Sequence, residues 1–315
     1  MNTQYTTTQR ERLLELGASD TTVAPVASGN TAASTASDTT ATPAASDIAV
    51  DVDAVFEDTA ARDATFRNAE KRLVAEGRVK IDALLHGKYM PDSAIVTKNL
   101  ETWLTDCEGF TKVMTPTIIP TEMLDRMTLT EDEPLRDQVF YVGKNRCLRP
   151  MLAPNLYIMM RELGRIAKEP VRIFEAGSCF RRESQGARHL NEFTMLNCVE
   201  YGVDYGEGES TGSGQTNRLE ELARSAMAAV GIDRFVLERE ASVVYGETID
   251  IVVDGVELAS CSYGPHVLDA NWGVFTSWVG IGFGIERIAM VLGGHKTIKR
   301  VGRSIAFIDG VPLNI

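Results

Sequence analysis

Cysteine and histidine are scarce in this chain, and their spacing excludes the common metal sites. The 315 residues contain five cysteines and four histidines, with no Cys-x-x-Cys pair and no His-x-x-x-His or His-Glu-x-x-His pattern. A structural zinc site, which needs several such ligands at short spacing, is therefore not expected. The odd number and irregular spacing of the cysteines favour reduced thiols in a cytoplasmic protein.

Long apolar runs are also missing. No segment reaches the roughly 18 apolar residues of a membrane-spanning helix, and the polar opening MNTQYTTTQRERLLELG is unlike a signal peptide. We therefore expect a soluble protein with no membrane partner. The net charge of −12 argues against a nucleic-acid partner, because phosphate binding draws on Lys and Arg. However, only the contacting face of a protein has to be positive.

The composition changes sharply along the chain. Residues 18–47 are nearly all Ala, Ser, Thr, Asp and Pro, and they lack the apolar surface that offsets the entropy of ordering a chain. From about Val55 the composition turns globular. We predict a short N-terminal helix within residues 1–17, a disordered linker over 18–52 and one large domain over 53–315.

Segment 91–108 predicts an amphipathic helix, because apolar residues recur at helical spacing. Asp92 or Ser93 is the expected N-cap, and Gly109 is the expected stop. The predicted buried face consists of Ile95, Leu100, Trp103, Leu104 and Cys107. A short strand is expected from Phe110 to Thr115, because Pro116 follows it.

The rest of the domain mixes strands and helices without a regular alternation. Two apolar strands, 171–183 and 191–202, flank a polar loop, and 247–253 with 256–262 indicates a hairpin around Asp254-Gly255. A Gly-rich loop over 203–215 precedes a helix that ends at Gly231, and a strand from Trp278 runs into a helix. This pattern is typical of an α+β fold with an antiparallel sheet flanked by helices.

An Arg-x-Glu triplet, Arg181 to Glu183, begins the first pattern with chemical meaning. His189 follows in the loop and Phe193 on the returning strand. Arg181 could pair with an α-phosphate in forked geometry, and His189 could reach the outer phosphates. Glu183 could accept from an adenine amine, with Phe193 stacked on the base. For the triplet alone, an ordinary hairpin with a solvated charged loop is the simpler interpretation.

The second pattern is Gly-x-Gly-x-Gly over 280–284, followed by Arg287. Such glycines let a backbone approach a ligand closely, and Arg287 could cover an adenine face by a cation–π contact. The pattern is not the dinucleotide-binding fingerprint, which needs a further glycine and an acidic βαβ unit. Taken alone, tight packing of a helix against a strand explains it equally well.

The third pattern is Glu257 and Ser260 on a predicted strand. Residues at this spacing face one site only if the strand is twisted or bulged. An oxygen pair near phosphates suits Mg²⁺, which takes few protein ligands. Taken alone, the pair is more simply a solvated strand residue and a turn serine.

In this order, the three patterns resemble motifs 2 and 3 of the class II aminoacyl-tRNA synthetases, and the helix at 92–108 with its strand resembles motif 1. Five stretches resemble the pyrrolysyl-tRNA synthetase family: CLRPMLAPNLY (147–157), IFEAGSCFRRES (173–184), HLNEFTMLN (189–197), VYGETIDI (244–251) and GFGIERI (282–288). The resemblance extends over about residues 53–315. YTTTQRERLLELG and VFEDTAARDATF resemble the family's short form, which lacks a separate N-terminal tRNA-binding domain.

The resemblance implies a class II catalytic domain over 53–315 that activates pyrrolysine, or another Nε-acylated lysine, with ATP. It also implies Mg²⁺, a cognate amber suppressor tRNA as partner, and a homodimer. Arg181 and Arg287 would be catalytic, Glu257 and Ser260 would hold the metal, and Arg300 would face the tRNA or the ATP. The implied ATP-binding residues are Arg181, Glu183, His189, Phe193, Glu257, Ser260 and Arg287.

The resemblance also implies an amino-acid pocket. Asn197 would hydrogen-bond the side-chain amide carbonyl of the substrate, Trp278 would form the floor, and Tyr245 would close over the ligand. The implied pocket residues are Ala153, Leu156, Tyr157, Met160, Asn197, Val199, Tyr245, Ser262 and Trp278. Free lysine would bury an unpaired charge in such a pocket. An apolar pocket rejects similar neutral analogues only modestly, so we expect tolerance of many Nε-acyl lysines.

Several alternatives stay open at this level. One is a related class II synthetase for phenylalanine or phosphoserine, although a phosphoserine pocket needs extra cations near Leu156 and Asn197. Another is a synthetase-like, ATP-dependent amide ligase. A third is an inactive binding module, but the catalytic residues implied by the resemblance are present and argue against it: Arg181, Glu183, Glu257 and Arg287.

Overall fold

The computed structural model describes residues 3–18, 50–88, 90–182, 189–206, 213–242 and 244–315. Most of the predicted linker over 18–52, Glu183 and part of the predicted 203–215 loop lie outside these residues. The chain forms two compact units, Met1–Ala94 with Met290–Ile315, and Ile95–Ala289. Among the helices described, none is long and apolar enough to cross a membrane.

The secondary structure follows in chain order. The α-helices are α1 (Thr7–Leu16), α2 (Thr59–Leu85), α3 (Asp92–Thr102), α4 (Glu122–Arg126), α5 (Pro134–Asp137), α6 (Ala153–Gly164), α7 (Ser213–Ala229) and α8 (Ile285–Leu292). The strands are β1 (Thr3–Gln4), β2 (Val55–Phe56), β3 (Thr111–Lys112), β4 (Ile118–Pro120), β5 (Arg146–Leu148), β6 (Val171–Phe180), β7 (Glu192–Tyr201), β8 (Val236–Ser242), β9 (Gly246–Val253), β10 (Val256–Gly264), β11 (Trp278–Gly284), β12 (Phe307–Ile308) and β13 (Val311–Pro312).

A seven-stranded sheet in the order β3-β6-β7-β11-β10-β9-β8 organises the second unit. Adjacent strands in this sheet are antiparallel, except for β3 and β6, which are parallel. The predicted pairs β6–β7 and β9–β10 are both present, and β11 runs directly into α8. The α+β prediction is therefore confirmed.

The helix predicted at 91–108 is present, but its winding changes near the end. After α3 comes a π-helical turn over Trp103–Cys107, and Gly109 ends the segment with φ +71°. The wider turn shifts the buried face by about one residue. Trp103 and Leu104 are buried, whereas Cys107 is exposed, so its predicted place on the apolar face was wrong.

Two other helices differ from the sequence-based expectation. α2, with 27 residues, was not predicted, because only Ala69, Leu73 and Gly77 along it are buried and no broad apolar stripe marks it. α7 begins at Ser213, so the predicted extent of the preceding loop, 203–215, was wrong at its end. Gly231, with φ +80°, lies just beyond α7 as expected.

The first unit has a small core of its own between α1 and α2. Its buried apolar side chains are Tyr5, Leu13, Leu16, Ala18, Val50, Val52, Ala69 and Leu73. Arg300 donates to the carbonyl groups of Leu14 and Gly310 and lies over the ring of Phe307. Its guanidinium therefore connects α1 with the C-terminal segment of this unit. We had expected it to face the tRNA or ATP instead.

Asp92 and Asp309 lie side by side in the first unit. The Asp92 backbone N–H donates to Asp309 Oδ1 at 3.0 Å, and Lys80 Nζ is 2.9 Å from Asp309 Oδ2. Burial and the neighbouring Asp309 carboxylate raise the pKa of Asp92 to about 6. The charged form of Asp92 is thus disfavoured in the folded state.

We expect Asp92→Asn to stabilise the protein at neutral pH. A carboxyl group whose pKa is raised by folding binds its proton more tightly in the folded state, so the wild type loses stability as the pH rises through about 6. The variant has no such carboxyl group. Its free energy of unfolding should therefore exceed that of the wild type by about 2 kcal/mol at about pH 8 and by almost nothing at about pH 4. Urea unfolding at both pH values measures this, with the exposed Asp82→Asn as control. An equal gain at both pH values would contradict the account.

Candidate active site

One row of residues across the central sheet carries two of the predicted polar groups, Asn197 and Ser260. Asn197 on β7 lies opposite Gly282 on β11, Gly282 lies opposite Ser260 on β10, and Ser260 lies opposite Asp250 on β9. Residues directly opposite each other in neighbouring strands share a face of the sheet. Asn197, Ser260 and Asp250 therefore point to the same side.

A second row lies two residues along each strand on the same face. Val199 is opposite Gly280, and Gly280 is opposite Ser262. Because the residues in both rows that belong to β11 are glycines, the middle of this face is a shallow trough between β7 and β10. Val199 and Ser262 border the trough.

Helix α6 supplies the opposite wall of the pocket. Leu156, Tyr157 and Met160 are buried and share an apolar cluster with Val199 and Trp278. Ala153 and Tyr245 are partly buried against the same cluster. With Asn197 and Ser262 on the sheet face, the structure brings together all nine residues predicted for the amino-acid pocket.

Aromatic rings pack against one another in this pocket, both stacked and edge to face. Tyr157 meets Trp278 edge to face, with centroids 5.8 Å apart and 81° between the ring planes, and it stacks on Trp272 at 5.3 Å. Tyr245, in the turn between β8 and β9, meets Trp278 edge to face at 6.1 Å. These are the offset and edge-to-face geometries that aromatic pairs prefer.

The Asn197 carboxamide is a polar group that could bind a ligand. Its oxygen is buried and has no hydrogen-bond partner among the residues that the structure describes. A buried unpaired polar group is unfavourable, which is why most such groups in proteins are paired. Since the oxygen and nitrogen of an amide can exchange places by a flip, Asn197 can serve a ligand as acceptor or donor.

The three glycines of β11 make room for side chains of the site. A Cβ at Gly282 would lie 3.1 Å from Asn197 Nδ2, and one at Gly280 would lie 3.3 Å from the Trp278 ring. A Cβ at Gly284 would lie 3.4 Å from Arg287 Cδ. The Gly-x-Gly-x-Gly pattern thus reflects close packing of the site's own residues.

Arg181 lies just beyond β6, at the end of the sheet face. Its Nε donates to the Pro150 carbonyl at 2.9 Å, and its guanidinium is 5.3 Å from the Phe193 ring centroid. The structure therefore brings Arg181 and Phe193 together as predicted. His189 is exposed on the chain that leads into β7.

Glu286 supports this end of the site and was missed in the sequence. It is only 2% exposed, and both of its carboxylate oxygens accept from the Thr194 backbone N–H at 2.9 Å. Thr194 adjoins Phe193, so the start of α8 is tied to the strand that carries the stacking ring. Glu286 is the single acidic residue of α8, and that was the available signal.

Glu257 and Ser260 face the same side because β10 is irregular. Glu257 pairs with Val252 and Ser260 with Asp250, and the register shifts between Glu257 and Ala259. The predicted bulge is therefore confirmed. It brings two oxygen-bearing side chains to one side of the sheet.

Arg287 and Asp250 complete this cluster. Arg287 Nη1 is 3.1 Å from Glu257 Oε2 and donates to the Glu257 carbonyl at 3.2 Å. The Ser260 hydroxyl donates to Asp250 Oδ1 at 2.7 Å, which leaves the lone pairs of Ser260 Oγ for another partner. Asp250 was also missed, although it interrupts the apolar strand TIDIVV.

A third missed carboxylate, Asp269, lies beneath the aromatic rings. It is 1% exposed. Its Oδ1 accepts from the Tyr157 hydroxyl at 2.7 Å, and its Oδ2 accepts from Trp278 Nε1 and from the His266 backbone N–H, each at 2.7 Å. Burial, together with Tyr245 and Asp269, raises the pKa of Tyr157, which stays protonated. The spacing of His266 and Asp269, which form a capping box, was the only local signal.

Comparison with known proteins defines the class first. Residues 80–309 match the family model described as tRNA synthetases class II core domain (F). Two solved structures of pyrrolysyl-tRNA synthetase from Desulfitobacterium hafniense are each 40% identical and cover 99% of both chains, with TM-scores of 0.81 and 0.80. The chain belongs to the class II aminoacyl-tRNA synthetases, in the pyrrolysyl-tRNA synthetase family.

More distant similarity links the chain to curated O-phosphoserine–tRNA(Cys) ligases. The protein from Methanocorpusculum labreanum is 26% identical over 158 residues, and that from Methanocaldococcus jannaschii is 25% identical over 170 residues. These matches cover 49% and 48% of the chain. The chain spans only about 30% of the length of these relatives.

Proposed function

We propose that the protein joins pyrrolysine, or another long Nε-acylated lysine, to the 3′ end of a cognate amber suppressor tRNA, with ATP as the energy source. The observation that carries the proposal is the buried Asn197 amide oxygen, which has no hydrogen-bond partner among the described residues, in a largely apolar, aromatic pocket. A neutral acyl-lysine offers a long apolar chain and one amide, which match these two features. The 40% identity to pyrrolysyl-tRNA synthetases over 99% of the chain supports the same conclusion.

The pocket disfavours free lysine. A buried ammonium needs a carboxylate partner, and the Asp269 carboxylate beneath the pocket already accepts three hydrogen bonds. Selection among neutral acyl-lysines is weaker, because a methylene-sized difference in an apolar pocket changes selectivity by roughly 10- to 200-fold. We therefore expect several Nε-acyl lysines to be activated.

Phosphoserine is the rival that the curated relatives raise. A phosphoserine pocket requires cations that are free to meet a dianion. Asn197 lies between Glu175 and Gly282 in the sheet, and the nearby Arg149 is engaged by Glu175 at 2.7 Å. The described surroundings of Asn197 thus favour a neutral ligand. Phenylalanine would leave the Asn197 amide unpaired.

The proposed reaction has two steps and needs no covalent nucleophile on the protein. The substrate carboxylate attacks the α-phosphorus of ATP, pyrophosphate leaves, and an aminoacyl-adenylate forms. The tRNA 3′-terminal ribose hydroxyl then takes the acyl group, and AMP leaves. Arg181 and Arg287 hold the phosphates and base of ATP and neutralise developing charge, so that catalysis rests on positioning and electrostatics.

Mg²⁺ fits the oxygen pair of Glu257 and Ser260. No group of three or more His, Cys, Asp or Glu residues suited to a metal occurs in the described parts of the chain, which agrees with an ion held mainly by phosphate oxygens. Bound there, the metal would supply positive charge to the phosphates. Arg287 would exchange its ion pair with Glu257 for a contact with ATP.

Glu257→Gln should raise the Mg²⁺ concentration needed for half-maximal pyrophosphate exchange by about tenfold, because a neutral amide replaces a charged ligand. The KM for the amino acid should stay within about twofold, since Glu257 lies outside the amino-acid pocket. Titration of MgCl₂ at fixed ATP measures the effect, and Glu247→Gln on the exposed part of β9 is the control. An unchanged Mg²⁺ requirement would remove Glu257 from the metal site.

A tRNA-dependence experiment tests the proposed function against an amide ligase. With Nε-Boc-lysine and ATP, labelled amino acid should become attached to tRNA only when the cognate suppressor tRNA is added, and the bond should be labile to mild base, as esters are. Base-stable product without tRNA would support a small-molecule amide ligase instead.

Assembly and location are part of the proposal. The family resemblance supports a homodimer that acts in the cytoplasm. The segment 18–52 is proposed to be a spacer except at its described ends, where Ala18, Val50 and Val52 are buried with residues of α1 and α2. Sedimentation velocity at micromolar protein distinguishes a dimer from a monomer.

A further inference from the structure

Asp269 joins three separate segments of the chain below the pocket. Its hydrogen-bond donors belong to α6 (Tyr157), to β11 (Trp278) and to the backbone N–H of His266 before the 3₁₀ helix Val267–Trp272. Since a buried carboxylate is tolerated only when donors surround it, the three segments are held to one another through this group.

This arrangement fixes the hydrogen-bonding character of Tyr157. A phenol has a single proton, and that of Tyr157 is donated to Asp269 Oδ1. The Tyr157 oxygen is therefore left as an acceptor towards every other partner.

Asp269 also fixes Trp278. The indole has one donor, Nε1–H, and Asp269 Oδ2 accepts it. The ring then presents only apolar surface to the pocket, and its plane is set by the hydrogen bond. Tyr245 packs against that ring at 6.1 Å, so the placement of the closing residue depends on the same carboxylate.

We infer that Asp269 is a positioning residue that sets the specificity of the amino-acid pocket: it holds Trp278 in place and leaves Tyr157 as an acceptor for a substrate donor. The inference rests on the proposed function for the identity of the substrate. Asp269 acts through the two rings and does not itself touch the ligand.

Asp269→Asn tests whether Asp269 makes the Tyr157 hydroxyl an acceptor. Two donors, Trp278 Nε1 and the His266 N–H, meet at Oδ2, so the single carbonyl oxygen of asparagine must take that place. Its NH₂ group then faces Tyr157, whose hydroxyl has to accept and turn its proton towards the pocket. The size of the side chain is unchanged, whereas the polarity of Tyr157 is inverted.

The KM for Nε-Boc-lysine in pyrophosphate exchange should rise about tenfold or more in Asp269→Asn, whereas the KM for ATP should stay within about twofold. Tyr157→Phe removes the polar atom on which Asp269 acts. Adding Asp269→Asn to Tyr157→Phe should therefore raise the KM by much less than tenfold, as expected for two residues in one network.

An NMR signal tests the contact without reference to activity. The chain has three tryptophans, and the indole N–H resonance of Trp278 is assigned by its loss in Trp278→Phe. It should lie downfield in the wild type and move upfield in Asp269→Asn, because a neutral acceptor forms a weaker hydrogen bond than a carboxylate.

Glu200→Gln is the matched control for general destabilisation. Glu200 is also 1% exposed and accepts from Arg172 at 2.6 Å, but it points to the opposite face of β7 from Asn197. It should lower the unfolding midpoint without changing the KM for the amino acid or the Trp278 resonance. An equal rise of both KM values in Asp269→Asn, or an unmoved Trp278 resonance, overturns the inference.

A failure of the proposed function and a failure of the inference give different results. If the wild type exchanges pyrophosphate with no amino acid, the proposed function fails and the role in specificity fails with it. The Trp278 resonance then still decides whether Asp269 holds the ring. If the wild type is active and Asp269→Asn changes neither KM, only the inference is overturned.

Discussion

Arg181→Ala should lower the rate of adenylate formation by about 100- to 1,000-fold, the loss typical of removing one preorganised donor from a site of developing charge. Arg181 is held by the Pro150 carbonyl and lies over the Phe193 ring, so its guanidinium is already in place before a ligand arrives. Pyrophosphate exchange at saturating ATP and amino acid measures the loss. The unfolding midpoint should change little, since Arg181 lies at the end of a strand and outside the apolar core.

Arg182→Ala is the matched control for this prediction. Arg182 adjoins Arg181 but is exposed, with its guanidinium 5.4 Å from the Phe140 ring centroid. Its removal changes net charge equally and should lower the exchange rate by no more than a few-fold. Equal losses in the two variants would show that general positive charge, and not the position of Arg181, supports the reaction.

Glu175→Ala should destabilise the protein by about 3–5 kcal/mol, because it leaves a buried arginine without its counter-charge. Arg149 and Glu175 are 3% and 4% exposed, with Nη1 and Oε1 2.7 Å apart. Glu175 also accepts from the backbone and hydroxyl of Thr115, and Asn155 of α6 donates to the same hydroxyl at 2.6 Å. The pair thus connects β6, the residue that follows β5 and, through Thr115, helix α6, next to Asn197.

Urea unfolding of Glu175→Ala measures this loss, and Glu247→Ala supplies the comparison. Glu247 pairs with Arg239 on β8 and β9, where both side chains are more than half exposed. Surface pairs contribute at most about 1 kcal/mol. If the two variants lost similar stability, burial would not be what makes the Arg149–Glu175 pair important.

Elements with strong local signals could be predicted from the sequence. β6, β7, β9 and β10 are marked by apolar runs separated by polar or Asp-Gly turns, and the bulge in β10 followed from the need to place Glu257 and Ser260 on one face. α2 could not be predicted in this way, because few of its residues are buried and its pattern has no clear period. The π-helical turn after α3 could not be predicted either, because the spacing of apolar residues there fits an ordinary α-helix.

The residues of the candidate site also differ in whether they could be predicted from the sequence. The residues that resemble a known family could be named from short motifs. The structure places most of the described ones on one sheet face and on α6, with Arg287 on α8 and Tyr245 in the turn before β9, whereas His189 is exposed. Asp250, Asp269 and Glu286 could not be named, because their partners are distant or on another strand: Tyr157 and Asp269 are 112 positions apart, and Thr194 and Glu286 are 92 apart. Such supporting carboxylates become visible only when the fold brings their donors to them.

The central claim is that this pocket selects a neutral, acylated lysine for ATP-dependent activation. ATP–pyrophosphate exchange with pyrrolysine, Nε-Boc-lysine, phenylalanine, phosphoserine and lysine tests it most directly. The account predicts exchange with the first two amino acids and none with the other three. Exchange with phenylalanine or phosphoserine would contradict the proposed pocket while leaving the class intact, and no exchange with any of the five would contradict the proposed activity itself.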